Sequence, residues 1–593
     1  VFCDSYEALN KLYARGMPKT TIIITKSPMI LNSANKYVCN LEEFVNTTYR
    51  ENFRIQAKNY TLKIFNSLRK DKKLVEYSLL IAQKFLKFYN KIYFASMFND
   101  DYLKSEFWIV KPFTDNKKLN NAISSEIYSV LEEHPKCKIK YIPINVTTER
   151  SARGDSKVSL FSRLRVVGYK GIFWSFLNFI SFIFIGNKFK IGIIRNNELV
   201  RDISYYLLWK KNIKLFYFKN FFKFANKDTK NKKDKLIAEI DKVINQFITS
   251  ALSDVKSNNI RELMISLWNT EKNNIINIYE KTKISIENQL SIKKINLILL
   301  GYIDMVRGQA LYNTCRKKNI PIISCQHGIT REIIADPYLK SVDFETGFSD
   351  YFFCYSDMSK TVTENSNYSI KNKIKIIGLP SDYKNFNSAK NNSNKICYVS
   401  TILLSGGIPN LIIPESDNEL IKWEFNLINN VFKNISKDIS YKPYPAIRYG
   451  DEDINIKEVN EATNMSLVGT HLDFRYIVSN YGLLITSGAT STLGWCVHSE
   501  IPMIFINRQG SLVLKKRVIN DFKKAFFVFD DTNKNWQENL KLFLEKNYID
   551  IIALWKAKYN NRLKVVKKYF GDTDLNAGLN GANFINKLIK KNI

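Results

Sequence analysis

Along the chain, short apolar runs alternate with longer stretches in which apolar positions recur every three or four residues. The runs are Thr21–Thr25 (TIIIT), Phe107–Val110, Ile139–Ile144, Ile191–Ile194, Lys214–Phe218, Ile295–Leu300 and Ile320–Cys325 in the first half. Tyr351–Tyr355, Ile374–Ile377, Ile396–Ser400, Ile439–Lys442, Leu483–Thr486, Met503–Ile506 and Ala525–Phe529 follow. Runs rich in β-branched and aromatic residues, separated by roughly 10 to 30 residues of helical periodicity, predict βαβ units and parallel sheets. The expected class is α/β with two sheets. No self-similarity at a fixed period of roughly 20 to 50 residues points to a solenoid or propeller.

Residues 48–98 and 230–290 read as mostly helical and are expected as insertions or outer layers on the first unit. A polar stretch, Pro380–Asn394 (PSDYKNFNSAKNNSN), lies between two apolar strands and predicts the seam between a larger first unit, 1–380, and a smaller second one, 381–547. From 548 to 593 the pattern is two basic helices. Gly171–Gly186 (GIFWSFLNFISFIFIG) is apolar, flanked by Arg163, Arg165, Lys170, Lys188 and Lys190, and interrupted by Ser175, Asn178 and Ser181. It falls short of the roughly 20 residues that span a bilayer. A buried core helix and an interfacial membrane segment are the two readings it allows.

At 593 residues the chain has ample core, and 45% hydrophobic and 24% charged residues describe an ordinary folded protein. Charge changes the picture more: 89 Lys and Arg against 56 Asp and Glu leave +33, which favours anionic partners such as nucleic acid, phosphate-rich substrates or an acidic membrane surface. Eight cysteines without a C-x-x-C pair predict a reducing compartment rather than a disulfide framework or structural zinc. The start, VFCDSYEALNK, has no charged region followed by an apolar run, so no secretory signal is expected, and native residues are expected to precede Val1 because no initiator Met is present.

Parallel sheets bind ligands beyond the carboxyl ends of their strands, and four such places carry chemistry. In Pro321–Arg331 a strand runs into Gln326-His327-Gly328, where a glycine admits close approach and a histidine can contact phosphate or move a proton. A satisfied core histidine beside a turn is the alternative. Ile485–Asn507 runs from a strand into Ser487-Gly488-Ala489-Thr490-Ser491-Thr492 and then a helix, so hydroxyls and unpaired N–H groups converge on an anion site; an N-cap without a ligand is the alternative. Ser440–Asp453 holds Lys442 and Tyr444 between prolines with Arg448 nearby, and its Asp451-Glu452-Asp453 reads as a solvated acidic turn ahead of a metal site. Leu299–Gln309 places Asp304 and Arg307 where a strand meets a helix, as a general base or as a cap.

Gln326-His327-Gly328, Gly378-Leu379-Pro380, Lys442-Pro443-Tyr444-Pro445 and Ser487–Thr492 with Pro502, in that order over roughly residues 295–507, resemble GT-B glycosyltransferases. The likeness is to the bacterial enzymes of surface polysaccharide and lipopolysaccharide synthesis that use cytidine-nucleotide donors, such as Kdo and capsule transferases. The resemblance implies two Rossmann-like domains facing across a cleft, with 1–380 taking the acceptor, 381–547 the nucleotide sugar, and the C-terminal helices crossing back. It implies that Gln326, Gly328, Lys442, Tyr444, Arg448, Ser487, Gly488, Thr490, Ser491 and Thr492 bind the donor, that His327 faces them, and that Asp304 or Glu332 supplies the catalytic carboxylate. No metal or other cofactor is implied. A glycan or lipid-linked acceptor and a position on the cytoplasmic face of the inner membrane follow from the same likeness, with Gly171–Gly186 and the basic surface as membrane contacts. Two positions depart from the pattern: Tyr444-Pro445 replaces the usual His-Pro, and Trp495 stands where relatives carry a ribose-binding Glu. A CDP-glycerol or polyol-phosphate transferase and a nucleic-acid-binding protein, the latter from Lys210–Lys235, are the competing readings.

Overall fold

The computed structural model describes residues 1–33, 36–44, 49–97, 105–114, 128–132, 134–145, 189–210, 212–218, 230–335, 345–365, 373–384, 394–402, 411, 414–444, 449–470, 472–510 and 512–591. Gly171–Gly186, Pro445 and Arg448 lie outside them.

All 14 predicted runs form strands, and among the described residues every pairing between these strands is parallel. A small sheet contains β1 (Ile23–Thr25), β2 (Val38–Asn40), β3 (Phe107–Phe113) and β4 (Cys137–Pro143). Phe2 bridges both Ile24 and Ile109, so the start of the chain is the middle of this sheet. The first large sheet has β5 (Phe189–Ile194), β6 (Ile213–Tyr217), β7 (Leu297–Leu300), β8 (Ile322–Cys325), β9 (Tyr351–Cys354) and β10 (Lys373–Ile376), in the order β6-β5-β7-β8-β9-β10. The second has β11 (Ile396–Val399), β12 (Ile439–Lys442), β13 (Met465–Leu467), β14 (Leu483–Ser487), β15 (Met503–Asn507) and β16 (Phe527–Asp530), in the order β13-β12-β11-β14-β15-β16. That is the doubly wound 3-2-1-4-5-6 order of a Rossmann sheet. The expectation of two sheets is thus corrected to two large sheets and a small third one.

The helices that bear on the site are α1 (Tyr6–Ala14), α2 (Arg50–Lys70), α3 (Ser78–Ala95), α4 (Glu198–Leu208), α5 (Asn258–Lys293), α6 (Met305–Lys317), α7 (Asp417–Asn430), α8 (Ser491–His498) and α9 (Ala577–Lys591). Helices α2, α3 and α5 build an outer layer whose core is aromatic, with Trp268 of α5 against Phe85 and Phe88 of α3. α5 starts where Ser257 accepts a hydrogen bond from the Ile260 N–H and ends at Lys294, which is left-handed at φ 50°. One hydrophobic core runs without a break from β5 to β15, through Ile329, Leu379, Tyr383, Leu493 and Trp495, so the two large sheets form packed lobes.

The tail after Tyr548 divides at Gly571. Before it, the helices pack on the second lobe, where Trp555 Nε1 donates to the Glu500 carbonyl (3.1 Å) and Lys568 pairs with Asp521 (2.7 Å). After it, α9 crosses to α4 of the first lobe. The approach is close because Gly578 and Gly581 face α4: a Cβ on Gly578 would stand 2.8 Å from the Asp202 carbonyl oxygen, and one on Gly581 2.7 Å from Ile203 Cδ1. Two facing Rossmann-like lobes closed by a returning helix make the GT-B arrangement. Among the described residues no helix is long and apolar enough to cross a membrane.

Candidate functional site

Each large sheet reverses its strand order once, between β5 and β7 in the first lobe and between β11 and β14 in the second. The crevice outside the carboxyl ends of the strands at such a point is where these sheets take ligands.

In the first lobe β8 is buried at every residue and delivers Gln326-His327-Gly328 to the crest. The turn is held from below. Gln326 is fully buried; its Nε2 donates to the Gly328 carbonyl (2.9 Å) and to Glu332 (2.8 Å), and its Oε1 accepts the Tyr355 N–H (3.0 Å). Its carbonyl accepts from Tyr355 Oη and from Asn197 Nδ2, both at 3.0 Å. Glu332, also fully buried, accepts in addition from Ser359 Oγ (2.8 Å), the Thr330 N–H (3.1 Å) and Arg331 Nε (3.2 Å). Gln326 and Glu332 therefore lie beneath the turn, each held by the neighbours that surround it. Gly328 is left-handed at φ 75°, a conformation that disfavours any side chain. His327 donates its N–H to Glu345 (2.9 Å), while its exposed ring stands 5.4 Å from that of Tyr302. Burial pushes the Glu345 carboxyl up to about 7 against the pull of Arg331, with which it pairs at 2.8 Å.

Asp304 follows β7 on the same crest. It caps α6 by accepting from the Arg307 N–H (3.1 Å), pairs with the Arg307 guanidinium (3.3 Å), and keeps 47% of its side chain exposed. Arg195, after β5, is exposed and left-handed at φ 54°; its carbonyl accepts the Gly301 N–H (3.0 Å).

In the second lobe β14 ends at Ser487, whose Oγ lies 3.3 Å from Thr401 Oγ1 and 3.5 Å from Tyr398 Oη. Gly488 lets the chain turn against Thr401, where a Cβ would come 3.1 Å from the hydroxyl. Thr490 then caps α8 through its backbone alone, and Thr490 Oγ1 is buried with no hydrogen-bond partner. Ser491 is exposed and Thr492 half-buried at the first turn of α8. Lys442 does not reach this surface: it is 1% exposed, and its Nζ donates to the Pro443 carbonyl (2.7 Å). Tyr444 is half-buried. The acidic turn is absorbed by caps, correcting its reading as a solvated turn. Asp451 accepts from the Tyr6 N–H (2.6 Å) and the Glu7 N–H (3.2 Å) at the start of α1, and Asp453 from the Asn455 N–H (3.0 Å).

The two crests meet. A Cβ on Gly328 would lie 3.9 Å from Ser491 Cβ. Beside that contact Ile334 and Leu514 form an antiparallel bridge, the Lys515 N–H donates to the Ile333 carbonyl (2.9 Å), and Lys515 Nζ donates to the Glu332 carbonyl (3.1 Å). Of the residues singled out from sequence, the structure thus brings Gly328 and Ser491 into contact across the lobes, with His327 and Asp304 on the crest of the first lobe and Ser487, Gly488, Thr490 and Thr492 beside Ser491 on the second. Sequence reasoning missed Thr401, Arg195, Glu198 and Arg475. Thr401 and Arg195 follow predicted strands directly, and Asn197-Glu198 is a helix-start signal; Arg475 sits in the short 3₁₀ turn Phe474–Tyr476, between two strands.

Trp495 has a structural part in place of a ribose contact. It stacks on Tyr383 of the seam at 3.9 Å and carries the Arg475 guanidinium over its ring at 4.9 Å. His498, on the same helix, packs between Tyr383 and Phe570 with no partner for Nε2, and burial lowers its pKa to about 3. The unfolded imidazole takes up a proton below about 6.5 and the folded one does not, so the unfolded state binds more protons between those values and stability falls as pH falls through them. His498→Phe is expected to flatten that slope by at most about 1.4 kcal/mol per pH unit, read as the difference between the two proteins in chemical denaturation at pH 7 and pH 5. Equal slopes would place His498 in contact with solvent.

No protein-family model and no curated protein sequence matches the chain. Solved structures are similar to it at low identity. The S. aureus MnaA–UDP co-structure is 12% identical, covering 68% of this chain and 96% of its own with a TM-score of 0.38. A Methanocaldococcus jannaschii UDP-GlcNAc 2-epimerase in complex with UDP-GlcNAc and UDP is 14% identical over 68% and 99%, TM-score 0.38. A UDP-glucosyltransferase from Polygonum tinctorium is 8% identical over 68% and 99%, TM-score 0.36.

Proposed function

We propose that this chain is a glycosyltransferase that moves a sugar from a nucleotide-activated donor, CMP-linked as in CMP-Kdo, to a glycan or lipid-linked acceptor in surface-polysaccharide synthesis. The observation that carries the reading is the meeting of an exposed histidine turn with a hydroxyl-lined helix N-terminus across the lobes, Gly328 to Ser491 at 3.9 Å. The donor phosphate lies over the first turn of α8, where unpaired N–H groups, the helix dipole and the hydroxyls of Thr490, Ser491 and Thr492 favour an anion. Ser487, Gly488 and Thr401 shape the floor. As the glycosidic bond to phosphate breaks, charge builds on the departing nucleotide, and those fixed dipoles together with His327 stabilise it. Asp304, exposed on the opposite crest, accepts the acceptor hydroxyl proton. Glu332 and Gln326 hold the turn in shape.

Thermal shift against CMP, CDP, UDP, GDP and ADP is the first experiment, because a ligand at about 100 times its Kd adds about 2.7 kcal/mol to the folded state alone. CMP or CDP is expected to raise the melting point. Slow hydrolysis of CMP-Kdo, CMP-sialic acid or CDP-glycerol without acceptor then identifies the donor, and no shift with any nucleotide removes the reading. The surplus of basic residues and Gly171–Gly186 are further proposed to hold the enzyme against the anionic cytoplasmic leaflet. Changing Phe173, Trp174, Phe176 and Phe179 to Ser is expected to cut sedimentation with anionic liposomes; unchanged binding removes the segment from the account.

A further inference from the structure

We propose that Glu198 and Arg475 are positioning residues, an ion pair between the lobes that fixes the register in which the His327 turn meets the N-terminus of α8. The inference rests on the function proposed above.

Each member of the pair is built into one half of the site. Glu198 opens α4, whose cap, Asn197, donates through Nδ2 to the carbonyls of Cys325 (3.3 Å) and Gln326 (3.0 Å), the two residues before His327. Arg475 sits between β13 and β14, and its guanidinium lies over Trp495, one turn along α8 from Ser491. Arg475 Nη1 donates to Glu198 Oε1 at 2.8 Å, and Nη2 to Asp473 at 2.9 Å. The pair is largely shielded, with 20% and 14% of the side chains exposed. The seam is tied to the same hub: Arg201 stands 3.7 Å from Glu198 and pairs with Asp382 at 2.6 Å, and Asp202 accepts the Ser381 N–H at 2.6 Å.

Burial opposes ionisation of Glu198, but Arg201, Arg475 and His327 outweigh it and hold the carboxyl below the usual carboxylate range, as suits one arm of an ion pair. Each charge keeps a partner within its own lobe, Glu198 beside Arg201 and Arg475 with Asp473, so what a break in this pair removes is the tie between the lobes. The two crests then shift relative to one another while the donor surface, built within one lobe, stays intact.

The test uses the full chain with Ile334→Cys and Leu514→Cys, which leaves the left-handed Gly328 untouched. These two residues face one another in the antiparallel bridge between the lobes, flanked by the Ala335 N–H to Val513 and Lys515 N–H to Ile333 hydrogen bonds, and the Cα atoms of such a pair stand roughly 4.5 Å apart, within reach of a disulfide, so closing of this bond under mild oxidation reports the register with no substrate present. Closing is expected in the otherwise native chain and at least tenfold slower with Glu198→Gln or Arg475→Gln. In the chain without these cysteines, kcat for donor hydrolysis is expected to fall at least tenfold with donor KM changed less than twofold, and the double variant to be no worse than the poorer single. Arg475→Lys keeps the charge but loses the planar fork that offers Asp473 and Glu198 separate nitrogens, and replaces the neutral variants should those fail to fold. Closing at the native rate in a folded variant, failure of the bond to close in the otherwise native chain, or multiplicative losses in the double variant would each overturn the proposal. A native chain that turns over no nucleotide sugar sinks the functional reading alone, because the disulfide still decides the register.

Discussion

Replacing His327 with Ala is expected to lower donor turnover by about 10²- to 10⁴-fold, the usual reach of a positioned proton donor or acceptor, while the melting temperature hardly moves. The two effects separate because of how the residue is held. The turn is fixed through main chain and neighbours: the His327 N–H to Glu345, the Gln326 amide to Gly328 and Glu332, and the Gln326 carbonyl to Tyr355 and Asn197. None of these uses the imidazole, which is exposed beside Tyr302. Truncation of an exposed side chain away from such features changes stability by about 0.5 kcal/mol or less. Steady-state hydrolysis and a thermal melt of the same preparation check the claim. A drop in melting temperature that tracks the loss of activity would make His327 part of the scaffold and take away the residue on which the chemistry depends.

The strands were legible because buried parallel strands are short, continuous apolar runs. The two that escaped, Val38–Asn40 and Met465–Leu467, are three residues each, too short to carry a pattern. The third sheet escaped for a different reason: its middle strand is little more than Phe2, whose place is set by pairing with Ile24 and Ile109, far along the chain. The crest positions were legible where a turn follows a strand directly, as at His327 and at Ser487–Thr492. The site was illegible where tertiary packing decides. Gln326 and Glu332 have the chemistry of binding residues, and only their burial and full set of partners show that they serve the turn. The basic Lys442 is likewise drawn inward to a backbone carbonyl. Trp495, read from sequence as a lost ribose contact, gains its meaning from Tyr383 and Arg475, which reach it from elsewhere in the chain.

The two carboxylates that sequence leaves undecided are separated by opposite expected outcomes. Glu332→Ala removes the acceptor of Gln326 Nε2, Ser359 Oγ, the Thr330 N–H and Arg331 Nε at once, in an environment that water does not reach. Arg331, 2% exposed, is left with Glu345 as its partner. Breaking a buried pair in this way costs about 3–5 kcal/mol, and the loss is expected to show as faster amide exchange across residues 326–334 together with loss of activity. Asp304→Asn is the counterpart. Asparagine caps a helix about as well as aspartate, so α6 and the fold are expected to stay as they are. A carboxamide accepts no proton from a sugar hydroxyl, so turnover to acceptor is expected to fall about 10²-fold or more, while slow hydrolysis of the donor by water falls less. Should Asp304→Asn transfer sugar at the native rate, the proton must go elsewhere; Glu332, with no face toward the crevice, cannot take its place, and Glu345, whose carboxyl burial holds near 7 within hydrogen-bond reach of the His327 main chain, is then the group to replace.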